Sequence, residues 1–542
     1  MRGSIQVQVV AVGMLVAGCG AAVEPDPDPV DETSAAIVSE DPAARSADWP
    51  SAGHDWSHTG HNPAELRLTP ATVGGLRVLW THVSPGPTPD VTVPVIGTPV
   101  VVGDTVYLAD ADGMVFARAL ADGALRWSVS VSQASPEPVF GSRIQSAPVV
   151  TRRAVFVGDN AAVVHKLDRA TGTILWSTDL DTNHGAIIQG DPTVFGDLVI
   201  VGVAGFENVI DAPLDATLRG SVAALDTDDG DVVWQTFTTS DQSTPAPKFG
   251  GGVGVWSSPA IDPLRQRVFI GTGQYYEPGA VVPDAATAGD VDYSDSLLSL
   301  SLERGRVRAH RQFTAGDVWG SRYPDGHDFD VGIPPTLFTV HRHGCAPVPA
   351  IGVGDKEGTY YVMDRRTLAP LWSVHVADGS VIGGFQATAA YADGVIYLAA
   401  HEAIDGASLG AHIPPGQSAT YLTTPEGTLL MQRGSLTHLE ALDASTGAVI
   451  WEISIPGAIT FAPLVVGGGV LYQADINGAV RAFDAASGEL LAQRQIGGVP
   501  DGAGGVYYGD IVTAMSLSRG RLLVSSSGLV PGAPGGVTVF GL

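Results

Sequence analysis

Short apolar runs alternate with small turn clusters along nearly the whole chain. "VYLADADGMVFARALADGALRWS" (106–128) and "VFVGDNAAVVHKLDRATGTILWS" (155–177) each hold three such runs, rich in Val, Ile and Leu. Runs this short, bounded by Gly, Asp and Asn, predict strands, and no sustained helical period competes with them. Between the last two runs stands a "D-x-x-x-G"-like phrase. Asp can bond its own backbone and Gly tolerates positive φ, so this phrase predicts a tight turn. The final strand ends in Trp, which caps the strand and packs against its neighbours.

The phrase recurs. It appears as "GSVAALDTDDGDVVWQ" (220–235), "GTYYVMDRRTLAPLWS" (358–373) and "THLEALDASTGAVIWE" (437–452). A late copy without Trp, "VLYQADINGAVRAFDAASGELLAQ", runs 470–493, and a degenerate one, "DSLLSLSLERGRVRAHRQF", runs 295–313. One such sheet cannot bury both faces, but a ring of them can. "RVLW" at 77–80 reads as the outer strand of a blade completed by the C-terminal "RLLVSSSG" and "VTVFG". The count reaches about eight blades, an all-β propeller closed by both termini, which removes free sheet edges.

Composition agrees with this reading. The 542 residues include 68 Gly and 37 Pro, with 44% hydrophobic and only 16% charged residues. The net charge of −28 excludes a nucleic-acid partner, since phosphate contacts need clustered Lys and Arg. Residues 1–18 read as a signal peptide: Arg2 is followed by an apolar stretch from Val9 to Ala17, too short to span a membrane. It ends in "LVAGCG" (15–20), similar to a bacterial lipobox, which makes Cys19 the candidate lipidation site. Gly20 is not the acidic residue that retains lipoproteins at the inner membrane, so the resemblance implies outer-membrane anchoring. Residues 19–47, acidic and Pro-rich, read as a tether, and 48–542 as the propeller. The chain has two cysteines, so any internal disulfide requires Cys19 as well as Cys345. No "CxxCH" is present, so no c-type haem is covalently attached.

The repeats resemble those of the pyrroloquinoline quinone (PQQ) enzymes, the quinoprotein alcohol dehydrogenases, nearest to polyvinyl-alcohol-dehydrogenase-like members. The same repeat also builds a non-catalytic lipoprotein of outer-membrane assembly, so an envelope scaffold is the alternative. The segments between repeats point to the enzyme. "DWPSAGHDWSHTGHNP" (48–63) resembles the opening motif of the dehydrogenases. In "GGGVGVWSSPAIDPLRQRVFIGTGQYYEPG" (250–279) the resemblance assigns Trp256 to stacking on the quinone and Gln274 to the place of a metal-binding Asn. In "VGVAGFEN" (201–208) it assigns Glu207 to the metal, and in "SRIQSAPVV" (142–150) Arg143 to a PQQ carboxylate. "GHDFDVG" (326–332) supplies Asp328 as catalytic base and Asp330 as a further metal ligand, and "VGDKEGTYYVMDR" (353–365) supplies Lys356 to the quinone oxygens.

The set is chemically coherent. Oxygen ligands suit a hard cation, Ca²⁺ or a lanthanide, which would polarise the quinone. A carboxylate base would take the proton of a small or polymeric alcohol, and the resemblance implies that the electrons leave to a separate cytochrome c or other external acceptor. Read alone, Asp328 and Asp330 are a solvated acidic turn, although an extended segment would point both carboxylates the same way. His54, His58 and His61 lack a zinc-site spacing and read as loop residues.

Overall fold

The computed structural model describes residues 47–85, 92–138, 142–183, 185–205, 218–239, 252–276, 293–317, 328–342, 344–379, 383–402, 435–496, 512–527 and 535–542. Cys19 and Glu207 lie outside these. The described strands form eight antiparallel blades arranged around a common axis. The first blade runs outward from Val100–Val102 through Thr105–Ala109 and Met114–Ala119 to Leu125–Ser130. The fourth is Ala260–Asp262, Arg267–Gly271, Ser296–Ser301 and Val307–Gln312; the fifth is Thr336–Val340, Val348–Gly354, Thr359–Asp364 and Ala369–His375. The eighth joins Val512–Ser518, Arg521–Ser526 and Gly536–Gly541 to Arg77–His82 from the other end of the chain. This is the closure expected from "RVLW". The only helical element among the described residues is the short turn Val73–Gly75, and no helix there is long and apolar enough to cross a membrane.

Inner strands are buried on both faces and outer strands alternate, because each blade is covered by its two neighbours and only its rim meets water. Tryptophan joins the blades. Trp127 at the rim of the first blade donates Nε1 to the carbonyl of Arg169 in the turn of the second, and Trp176 and Trp234 reach Thr227 and Leu302 in the next two. Trp80, Trp372 and Trp451 repeat the bond to Leu120, Ala444 and Ala485. The glycine of the turn is required twice over. Gly172 has φ +75°, and a Cβ there would stand 2.5 Å from the Trp127 ring. In every blade the residue just before the Trp position is an unpaired bulge; Arg126, Leu175 and Val233 are examples. The bulge re-aims the following side chain toward the neighbouring blade.

Two seams lack the Trp. At the seventh, Arg494 donates instead to the carbonyls of Leu76 and Gly74. At the fourth, Ala309 occupies the Trp position and the facing turn carries Leu368 where the others carry Gly, at φ +56°. Leu368 fills the space with Ala309 and Phe313, and Phe313 stacks on Tyr361 at 4.3 Å.

The stretch 49–62 lies across the axis and bonds to the innermost strand of every blade. Trp49 exchanges backbone bonds with Val101, and Pro50 accepts from Val150. Trp56 reaches Val194 through Nε1 and accepts from Ile261. Ser57, Thr59 and Gly60 accept from Leu337, Tyr391 and Val466, and Asn62 Nδ2 donates to Leu517. Asp55 shapes the bend by accepting from the amides of Ser57 and Thr59. The histidines are therefore part of a plug rather than of a solvated loop. His54 and His58 are buried, and a His58 ring nitrogen lies 2.9 Å from the Pro259 carbonyl.

Because the Trp–Gly contact holds six of the eight seams, the first among them, Gly172→Ala is expected to lower stability by about 2 kcal/mol, from positive φ and the clash together. In a Trp127→Ala background the clash is gone, and the added cost is expected to fall to about 1 kcal/mol. Denaturant unfolding of the four proteins of the cycle measures the difference.

Candidate active site

Five of the sequence-predicted residues meet at the seam between the fourth and fifth blades. Asp328 and Asp330 lie on the connection leading into Thr336–Val340, and Lys356 follows Val348–Gly354. Trp256 precedes Ala260–Asp262, and Gln274 follows Arg267–Gly271. In an antiparallel blade the approach to the innermost strand and the exit of the second strand lie at the same end. All five residues therefore gather at one mouth of the ring, above the plug.

The contacts are close. Lys356 Nζ donates to Asp328 Oδ2 at 2.8 Å and to Asp330 Oδ2 at 2.9 Å. Trp256 Nε1 donates to Asp330 Oδ2 at 3.1 Å, and the backbone amide of Gln274 donates to Asp330 Oδ1 at 3.0 Å. Lys356 also donates its backbone amide to the Asp330 carbonyl, and its ammonium lies 5.1 Å from the centre of the Trp256 ring. Both carboxylates face the lysine, as an extended segment would place them. They do not form a solvated turn: Asp328 is 0% and Asp330 4% exposed.

Local sequence explains the fit. In "DKEG" the Asp355 carboxylate accepts from the Thr359 amide and Gly358 turns at φ +83°, so Lys356 is presented from a tight turn. In "GTGQ" a side chain at Gly273 would run into the Asp330 carboxylate, and one at Gly332 would run into the Trp256 ring. The bond from residue 274 to Asp330 uses the backbone, so exchanging Asn for Gln leaves that contact intact.

Burial pushes the Asp328 carboxyl up to about 8; Lys356 opposes the shift, and Asp330 and Asp317 reinforce it. Burial works against the charge on Lys356, but Asp328 and Asp330 more than offset it and raise its pKa above the ordinary lysine value. Burial likewise raises Asp355, next to Lys356, to about 6.

Arg143 stands on the second blade, on the approach to Val149–Val150, and no contact joins it to the Asp328–Lys356 group. Its guanidinium donates to the Pro136 carbonyl at 2.8 Å and to Glu137 at 2.5 Å. It is thus buried and paired with a carboxylate of the chain itself. Sequence reading missed Asp317. Its carboxylate accepts from the Phe329 amide, between the two aspartates, and its carbonyl accepts from Tyr275. It belongs to no recognisable phrase, and only folding brings it there. Among the described residues, no three His, Cys, Asp or Glu side chains are grouped so as to hold a metal. The donor types still fit a hard cation: two buried carboxylates share one wall with the "GTGQ" backbone.

The family description "Glucose/ethanol/alcohol dehydrogenase, beta-propeller domain" matches residues 49–384, and "Outer membrane protein assembly factor BamB" matches 356–527. Polyvinylalcohol dehydrogenase of Pseudomonas sp is 26% identical over 524 residues, covering 87% of this chain and 73% of the relative. The lanthanide-dependent methanol dehydrogenase of Methylacidiphilum fumariolicum is 23% identical over 477 residues, covering 74% of each. The solved quinohemoprotein alcohol dehydrogenase ADHIIG of Pseudomonas putida superposes with a TM-score of 0.69 at 20% identity, covering 94% of this chain and 82% of that one. The chain belongs to the PQQ β-propeller dehydrogenase family. It is an oxidoreductase on an eight-bladed propeller.

Asp328 makes the metal-free protein less stable as pH rises. Its folded pKa of about 8 exceeds the 3.8 of an unperturbed Asp, so the folded state holds the extra proton between those values. That share of stability is full below about pH 4 and is lost by about pH 8. Thermal midpoints from pH 5 to 8 are expected to fall in the wild type and to fall less steeply in Asp328→Asn.

Proposed function

We propose that the protein oxidises an alcohol, with PQQ and a Ca²⁺ or lanthanide ion as cofactors and an external acceptor for the electrons. The observation that carries this reading is the buried Asp328–Lys356–Asp330 group, walled by Trp256 at one mouth of the channel. Two desolvated carboxylates sharing one lysine are costly to keep, and a dehydrogenase has a use for them as base and ion ligand. PQQ, when bound, supplies the hydride-accepting quinone, and the ion supplies Lewis acidity.

The protein's own residues do the rest. Asp328, in its ionised form, takes the proton of the substrate hydroxyl. Its raised pKa makes it a stronger base than a surface carboxylate. Trp256 offers a flat indole wall for a planar cofactor. Lys356 supplies positive charge where negative charge develops. Asp330, Gln274 and Glu207 are the proposed ion ligands, with Arg143 the proposed partner of a cofactor carboxylate. The 26% identity to a polyvinylalcohol dehydrogenase supports a polymeric alcohol as a substrate to test beside small ones.

Anchoring through Cys19 to the outer membrane, facing the periplasm or the exterior, completes the proposal. The chain's two cysteines are Cys19 and Cys345. A sulfur carrying a lipid thioether cannot also hold a disulfide. Peptide mass analysis of envelope-derived protein separates the two: a lipid adduct on Cys19 is expected, and a linked Cys19–Cys345 peptide would exclude it.

Purified protein loaded with PQQ and either ion is expected to reduce a dye in the presence of polyvinyl alcohol or a small alcohol. Asp328→Asn should bind PQQ equally well while kcat drops about 10²–10⁴-fold. Failure to bind PQQ with either ion would sink the enzyme reading.

A further inference from the structure

The site carries a cation of its own. Lys356 Nζ lies within 2.9 Å of a carboxylate oxygen on both Asp328 and Asp330, and it sits over the face of Trp256. Both oxygens of Asp330 are engaged: Oδ1 receives the Gln274 amide, and Oδ2 receives both Trp256 Nε1 and the lysine. A hard cation seeks these same oxygens at about 2.3–2.6 Å. An ammonium and a metal ion cannot share Asp330 Oδ2 at such distances without strong repulsion in a buried site. The balance of charge points the same way. Two buried carboxylates, Asp328 and Asp330, share one ammonium, and Asp317 adds negative charge near Asp328. One monovalent group leaves negative charge that an ion of higher charge neutralises better.

From this geometry we propose that Lys356 is an exchangeable counter-cation. It occupies the carboxylate pair while the metal is absent and leaves Asp330 when the metal binds. The proposal rests on the reading that Asp330 is an ion ligand. Loading the ion then also frees the ammonium for the oxygens of the cofactor, so metal binding and the placing of Lys356 are one event. The amide of Lys356 donates to the Asp330 carbonyl at 3.1 Å, so the side chain can swing while its backbone stays tied to the site.

The test uses metal-free full-length protein titrated with Tb³⁺, with the indole excited and the terbium emission read. Trp256 lies against Asp330, so it is expected to sensitise an ion bound there, and Trp256→Phe should remove most of the emission. Lys356→Met is expected to bind Tb³⁺ at least ~10-fold more tightly than the wild type, because the competing charge is gone. Lys356→Arg keeps the charge and should bind like the wild type. Equal or weaker binding by Lys356→Met overturns the exchange while leaving Asp330 as an ion ligand. No Tb³⁺ binding by the wild type or by Lys356→Met, or emission that survives in Trp256→Phe, overturns both readings. A second measurement needs no variant. Acylation of Lys356 in the wild type, followed by peptide mass analysis, should accelerate several-fold when Tb³⁺ is added, as the amine leaves its carboxylates. An unchanged or slower rate overturns the proposal.

Discussion

The pairing of Arg77–His82 with Gly536–Gly541 is the constraint on which the rest depends. A row of blades ends in two open faces, and each blade must be covered on both sides to bury its apolar residues. Closing the row with strands from opposite ends of the chain removes both open faces at once. It also encloses the plug at 49–62, which can bond to eight innermost strands only when all eight surround it. The seam between the fourth and fifth blades is then defined from both directions around the ring, although it lacks the Trp contact that holds six of the others.

That exception coincides with the candidate active site. The fourth and fifth blades meet through Leu368, Phe313 and Tyr361 at the rim and through the Asp328–Lys356 group at the mouth. Buried like charges push a seam apart unless they are paired, and Lys356 and the backbone amides bring them to near balance. Asp328 nonetheless stays with a raised pKa. The site thus keeps an electrostatic cost that a purely structural seam would avoid, and the closed ring sustains it. Functional groups often sit where local stability has been given up in this way.

The fold alone does not separate the two kinds of protein that the comparisons bring up. A dehydrogenase propeller and an outer-membrane assembly factor match overlapping parts of the chain, because both are built from the same repeat. The distinction rests on the connections between blades. Gly273 and Gly332 matter there as much as the charged residues, since their missing side chains make room for the Asp330 carboxylate and the Trp256 indole.

The repeat was legible in the sequence because each blade is a local object. Its short Val- and Ile-rich runs, Asp–Gly turns and terminal Trp follow one another within about 25 residues, so strand number, closure by both termini and the all-β class could be read directly. The candidate residues Asp328, Asp330, Lys356, Trp256 and Gln274 were legible too, through family phrases. Their mutual contacts were not, since their hydrogen bonds alone join residues up to 74 positions apart. Burial of "DFDVG" (328–332), the part played by Asp317, the bulge before each Trp and the role of 49–62 as a plug were all decided by tertiary structure. A polar segment is solvated unless something covers it, and only the closed ring supplies the cover.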